Sequence, residues 1–339
     1  MNNNTGVIKE NKILNQIRYF LVNYNYIITF IVIFGAFIYI NGDSTTWKSI
    51  TNIFLHSAIL GSVALGMGMV ILTGEIDLSV GSTFVLVGGL SIITYNATGS
   101  ITIMLLSALF LGGVCGLTNG YLIGKLNMPS FIVTLATMLI FRSVSQYMMN
   151  ELGETRYRID AAHGSYQNLF DFGNGYIFTI PNIAIVFLVV AMLSIYVTLW
   201  TKFGKQVYAV GSNKIAAKLA GINVVMTRTI VFVLGGVLVG LAAFLKIAKD
   251  TSFDPSTSGR SFELYAIAAV VIGGISMSGG KGKIQGIIFG TMSFTLIDKI
   301  ITALGMNALL NDTVKGLILL TAVGLQMTRK KNKKVKKGE

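Results

Sequence analysis

At 339 residues, 53% of them hydrophobic and only 12% charged, with a mean hydropathy of +0.69, the chain excludes a soluble globular enzyme, whose charged fraction is about 25%. The net charge of +13 would fit nucleic acid, but seven of the 27 basic residues crowd into Arg329 to Lys337 behind the last apolar run. Such a run is a cytoplasmic anchor beside anionic lipid, so nucleic-acid binding is excluded.

Apolar runs long enough to cross a bilayer recur along the chain. They predict ten spans, at about 20–40, 53–73, 79–95, 101–124, 129–149, 178–200, 229–248, 264–277, 284–303 and 313–328. The first run is too long for a signal peptide and is followed by "FIYINGD", with no small-residue cleavage site; it reads as an uncleaved helix. The eighth, "LYAIAAVVIGGIS", is short and reads as an incomplete or broken crossing. Glycine, at 38 residues, is enriched as it is where membrane helices approach closely. With the N-terminus inside, inner segments hold 18 Lys and Arg against 6 outside, the cytoplasmic bias of basic loops. The expected fold is an all-α polytopic membrane protein of about ten helices, some broken or short, with both termini cytoplasmic. Residues 1–19 form an inner segment, 20–328 the membrane body and 329–339 the basic tail. The longest outer loop, about 150–177, is polar and rich in turn residues.

Between the second and third spans lies "TGEIDLSVGS", residues 73–82, with two carboxylates. An unpaired carboxylate at mid-membrane is costly, so Glu75 and Asp77 should not face lipid. Three readings stand: a solvated cytoplasmic hairpin, a helix cap or buried polar network in which Asp77 serves the N–H groups of "LSVGSTF", or a pore lining. In each of the last two, the acids fix a break in the helical path. A short echo, "GEIDLSVG" (74–81) and "GISMSGG" (274–280), fits repeats with interrupted helices of the kind that frame transport pathways. It adds Ser79, Ser276 and Ser278 to the path candidates. Further polar groups within spans are Asn119, Ser130, Thr134, Thr137 and Arg142. The three hydroxyls at helical spacing either bond back to their own helix or form a weakly polar wall. Arg142 needs a partner if buried, and Asp77 or Glu75 is the expected one, unless it snorkels to the outer interface.

The long inner loop, 201–228, reads "TKFGKQVYAVGSNKIAAKLAGINVVMTR". Gly211-Ser212-Asn213 makes a turn and an N-cap, and Gly221 is a natural terminator. Between them Ile215, Leu219 and Ile222 form one stripe, with Lys214 and Lys218 on another face. The short helix is either a membrane-surface helix or a docking helix; Ala216 and Ala217 leave room for a partner's groove.

Four stretches resemble the permease subunits of bacterial ABC importers for monosaccharides, the ribose, galactose and xylose type: "TGEIDLSVGS" (73–82), "GLTNGYLIGKLNMPSFIVTLATMLIFRS" (116–143), "FGKQVYAVGSNKIAAKLAGINV" (203–224) and "ELYAIAAVVIGGISMSGGKGKIQGIIFG" (263–290). The resemblance covers roughly residues 50 to 328. It implies a subunit of the bacterial cell membrane, paired as a homodimer around a central path, with two cytoplasmic ABC ATPases and an external sugar-binding protein. Ribose or a galactose-type hexose is the implied cargo; xylose, nucleosides or a furanosyl signalling molecule are carried by relatives. The ATPase-coupling residues implied are Gly211, Asn213, Ala216, Ala217, Lys218 and Gly221. In the family the two alanines usually follow a glutamate, whereas Ile215 stands before Ala216 here.

No chemistry of the chain's own is expected. "SMSGGKGK" has Ile275 where a phosphate loop needs its first glycine, and Gly282 follows Lys281; ATP is therefore hydrolysed by a partner, and no cofactor is needed. The single Cys115 rules out an internal disulfide and reads as a small packing residue. His56 and His163 lie far apart without nearby cysteines, which leaves no zinc site and no Ser-His-Asp set. The alternative class is an ion-coupled secondary transporter with Asp77 and Glu75 as coupling carboxylates; an intramembrane enzyme is a distant third.

Overall fold

The computed structural model describes residues 24–307, 310–321 and 324. In chain order the helices are α1 (Asn25–Asn41), α2 (Trp47–Leu72), α3 (Val80–Thr98), α4 (Ile101–Gly124), α5 (Ser130–Glu151), α6 (Tyr166–Asn174), α7 (Asn182–Trp200), α8 (Lys202–Ser212), α9 (Lys214–Leu219), α10 (Val224–Asp250), α11 (Phe262–Ile272) and α12 (Gly286–Ala303). Residues 311–321 are helical as well. The inner segment 1–19, the basic tail, the start of the first expected span and the end of the last fall outside the described residues.

Among the described residues, eight helices are long and apolar enough to cross a membrane. The eighth expected span does not run to 277. It is α11, 11 residues long, which at 1.5 Å per residue is about 16 Å, half of a bilayer core of about 30 Å. Gly273 and Gly274 stop it. The second expected span begins earlier than hydropathy indicates, at Trp47, because Thr46 accepts from Ser49 N–H and Ser49 answers the Thr46 N–H in a capping box.

Helix α2 is the central post and is mostly buried, whereas α1 is peripheral. Helix α10 lies along α4 and α2, and α12 packs on α1, α2 and α11. The seam between α4 and α10 is made by glycines four apart. A Cβ on Gly112 would strike the Gly236 carbonyl, one on Gly116 the Phe232 carbonyl, and one on Gly120 would lie 2.8 Å from the Thr229 carbonyl. Without a hydrophobic force between helices in lipid, such close backbone approach holds them together. The seam turns apolar side chains of α4 outward, where Phe110 and Leu106 are exposed; on a membrane protein that surface meets lipid.

The outer ends are closed by a built layer. Strand β1 (Tyr157–Arg158) pairs antiparallel with β4 (Ser252–Phe253), and Tyr157 Oη donates to the Ser145 carbonyl at 2.7 Å. A second ribbon joins β2 (Tyr176–Ile177) to β3 (Ile180–Pro181). Helix α6 sits on α10, with Gly173 against the Ala248 carbonyl.

Candidate functional site

Helix α2 stops with the geometry of a Schellman cap. Gly74 takes φ +79°, its N–H donates to the Ile71 carbonyl at 2.9 Å, and Glu75 N–H donates to the Val70 carbonyl at 3.3 Å. Helix α11 stops in the same way: Gly274 takes φ +85°, with bonds from Gly274 to Val271 at 3.0 Å and from Ile275 to Val270 at 3.2 Å. Glycine is used at both because the left-handed region costs other residues their Cβ clearance.

The two breaks touch. Gly280 N–H donates to the Leu72 carbonyl at 2.8 Å, and a Cβ on Gly279 would lie 2.7 Å from Gly74 N. The end of α8 joins them, since a Cβ on Gly211 would run into the Leu72 carbonyl and Tyr208 Oη donates to the Gly282 carbonyl at 2.9 Å. The glycines of "SGGKG" thus let three backbone segments meet, which is the role left for them once phosphate binding is excluded.

Neither acid sits in a solvated turn. Glu75 is 5% exposed; its Oε1 lies 2.6 Å from Lys214 Nζ and 2.7 Å from Arg228 Nη2. Arg228, also buried, donates from Nη1 to Asn127 Oδ1 at 3.1 Å. One carboxylate therefore ties the break after α2 to the first residue of α9, to the start of α10 and to the α4–α5 turn. Asp77 Oδ1 accepts from Ser79 N–H at 2.8 Å and from Ser79 Oγ at 2.6 Å, and Asn119 Nδ2 donates to Ser79 Oγ at 2.8 Å. The carboxylate stands just before α3, where the helix dipole favours negative charge.

The hydroxyls of α5 divide. Ser130 Oγ accepts from Ile76 N–H at 3.5 Å, and Thr134 Oγ1 donates to the Ser130 carbonyl at 2.8 Å and reaches the Ile76 carbonyl at 3.5 Å. Thr137 bonds only to its own helix, at the Val133 and Thr134 carbonyls. In the second break, Ser276 Oγ accepts from Ser278 N–H at 3.3 Å.

Arg142 is not paired with Glu75 or Asp77. It donates to the carbonyls of Pro255 at 2.9 Å, Ser258 at 3.4 Å and Gly259 at 3.4 Å, and to Ser82 Oγ at 3.4 Å. The pairing with an acid does not form because Arg142 stands about 18 Å along α5 from Ser130, at the level of the outer loop, the other position the sequence left open, rather than of the break. That loop is held by Asp254, which accepts from Ser256 N–H at 2.8 Å and Thr257 Oγ1 at 3.0 Å. Burial pushes its carboxyl up, but these bonds outweigh it and hold it below the usual carboxylate range. Beside Arg142 a cavity of about 480 Å³ opens, lined among others by Ser82, Met138, Gln146, Arg260 and Glu263.

Helix α9 is short but fully capped. Asn213 Oδ1 accepts from Ile215 N–H at 2.9 Å and Ala216 N–H at 3.0 Å. Gly221, at φ +79°, closes it with bonds to Lys218 at 3.0 Å and from Ile222 to Ala217 at 3.0 Å. Ile215 is 75% exposed and Leu219 85%. Ala216 and Lys218 are exposed too, whereas Ala217 is buried against the body and Gly211 is locked in the junction. Sequence reasoning missed Arg228 and Lys214 as partners of Glu75, and Asn127 as the partner of Arg228. The one available signal was a lone arginine at the inner mouth of a span.

A polytopic bundle with two abutting helix breaks and an exposed helix wired to them is the architecture of a membrane permease. The chain belongs to the family described as branched-chain amino acid transport system, permease component, whose profile matches residues 49–323. It is therefore a transport component rather than an enzyme, and a multi-pass protein of the bacterial cell membrane. It is 33% identical over 279 residues to the ribose import permease protein RbsC of Escherichia coli (strain K12), covering 82% of this chain and 85% of that one. It is 32% identical to the xylose transport system permease protein XylH of Haemophilus influenzae (strain ATCC 51907 / DSM 11121 / KW20 / Rd), over 86% and 92% of the two chains. To the L-arabinose transport system permease protein AraH of Escherichia coli (strain K12) it is 34% identical over 313 residues, 92% of each. No solved structure matches.

Proposed function

We propose that the chain is the translocating subunit of an ATP-driven importer of a monosaccharide, working as a homodimer with two cytoplasmic ABC ATPases and an external sugar-binding protein. The observation that carries this reading is α9. A six-residue helix with two large apolar side chains that the rest of the chain leaves uncovered is unfavourable unless something covers them, and both its ends are capped rather than frayed. A groove on an ATPase subunit is the occupant proposed. When the ATPases close, α9 moves, and Lys214 transmits the movement through Glu75 to the break after α2. The names of the relatives favour an aldopentose, ribose, xylose or arabinose, over a galactose-type hexose.

Uptake of labelled D-ribose, D-xylose and L-arabinose into energised membrane vesicles is expected to stop with orthovanadate. Uptake that survives vanadate and collapses with an uncoupler points instead to an ion-coupled carrier. Gly221→Pro cannot adopt φ +79°. It is expected to abolish sugar-stimulated ATP hydrolysis while the chain still inserts, as judged by its level in washed membranes.

A further inference from the structure

The cavity between α5 and the 254–263 segment has no role in the network around the breaks. Its polar groups fall into two sets. Arg142 is committed: its donors go to three carbonyls and Ser82 Oγ. Glu263, Gln146 and Arg260 line the same cavity, yet among the described residues none of them forms a side-chain hydrogen bond or ion pair with another side chain. The lining holds one carboxylate, Glu263, against two guanidinium groups, Arg142 and Arg260, and Arg142 is the cation whose charge Glu263 feels. Met138 and Leu139 supply an apolar wall.

Such a face cannot stand against lipid, where ionisable side chains are costly and turn towards water-filled cavities. An anion is poorly served there, because the donors of Arg142 are already taken up by carbonyls and Ser82 Oγ and the Glu263 carboxylate faces the same cavity. What fits is a neutral ligand with adjacent hydroxyls that donate to a carboxylate and accept from an amide and a guanidinium, and with C–H faces that rest on Met138 and Leu139. From this arrangement, and resting on the reading of the chain as a sugar permease, we infer that the cavity is an outward-facing transit site for a neutral polyhydroxyl solute, with Glu263 and Gln146 as its contact residues.

The test places one thiol in the wall. Gln146→Cys in a Cys115→Ala background is expressed as the full chain in right-side-out membrane vesicles and treated with a small charged methanethiosulfonate. The expected result is rapid modification, slowed at least about fivefold by millimolar D-ribose, D-xylose or L-arabinose. D-ribose 5-phosphate should protect no better than its parent sugar. Absence of modification would put the face in lipid and overturn the inference. So would modification that none of the three sugars slows, or protection by the phosphorylated sugar alone. Glu263→Gln should raise the KM of uptake about tenfold, through loss of one charge-assisted hydrogen bond, at an unchanged maximal rate; an unchanged KM counts against Glu263. Protection that persists while uptake ignores vanadate keeps the cavity assignment and removes the ATP-driven reading.

Discussion

The break after α2 and the break after α11 begin with the same device, a left-handed glycine closing the helix, Gly74 in one and Gly274 in the other. Both then enter a turn in which a side-chain oxygen accepts an N–H two residues on, from Asp77 to Ser79 and from Ser276 to Ser278. Between glycine and turn, the first break carries Glu75 and Ile76, the second only Ile275. The extra residue is Glu75, and it is the one bonded to Lys214 and Arg228. One local solution for stopping a helix in a membrane has thus been used twice. In the first break a single added residue connects the stop to α9 by ion pairs, while the contacts described for the second are backbone approaches and neutral hydrogen bonds such as that from Tyr208 Oη to the Gly282 carbonyl.

The comparison can be broken most severely at the contact between the two breaks. Gly280 sits at φ +64°, and a Cβ there would lie 2.6 Å from Ser212 N. Gly280→Val is therefore expected to cost more than about 4 kcal/mol and to yield no monodisperse protein on size-exclusion chromatography. Wild-type recovery would mean that Gly280 does not lie against the end of α8, where the two breaks meet.

Next in size is the charge. Glu75→Ala leaves Arg228 buried without a carboxylate, a loss of about 3–5 kcal/mol. Lys214→Gln removes the partner whose side chain is 45% exposed, a loss under about 1 kcal/mol. Thermal unfolding in detergent separates them; equal losses would show that Lys214, and not the buried Arg228, is the cation that matters to Glu75. The turns sharpen the contrast further. Asp77→Ala strands Ser79 and Asn119 and is expected to cost about 1–3 kcal/mol, whereas Ser276→Ala, half-buried with one long bond, should cost under about 1 kcal/mol. If the order reverses, the second break is the one under tension.

The smallest effect is in pH. Asp254 titrates below its unfolded value, so the outer loop is supported above about pH 4 and loses that support as pH falls through the folded value. Hydrogen exchange of residues 254–259 should rise only in acid, and Asp254→Asn should remove the step.

Much of the architecture could be read from the chain. Apolar runs place the spans, and the short "LYAIAAVVIGGIS" marks an incomplete crossing. Asn213 and Gly221 bracket α9 because capping is local chemistry, set by residues within four or five positions of each other, whereas the turn expected at Gly211 and Ser212 is instead the end of helix α8. The same locality made the terminator at Gly221 legible before any contact was known. The acids at 75 and 77 were legible as an anomaly for the opposite reason: charge in an apolar setting needs an explanation whatever the fold.

Partners were not legible. Glu75 and Lys214 stand 139 positions apart, and Arg142 and Gly259 117; nothing in composition or spacing tells a carboxylate which cation will arrive or sends an arginine to three carbonyls. Nor does the glycine content announce which glycines face which, as Gly112 and Gly236 do across the α4–α10 seam. Hydropathy and caps depend on a residue and its near neighbours, so the order of residues determined the rough placement of the spans and the exposed helix. Ion pairing and close backbone contact depend on which segments the packed bundle brings within about 3 Å, so only the tertiary structure decided that the two breaks abut, that Glu75 carries the link to α9, and that Arg142 belongs to the outer cavity.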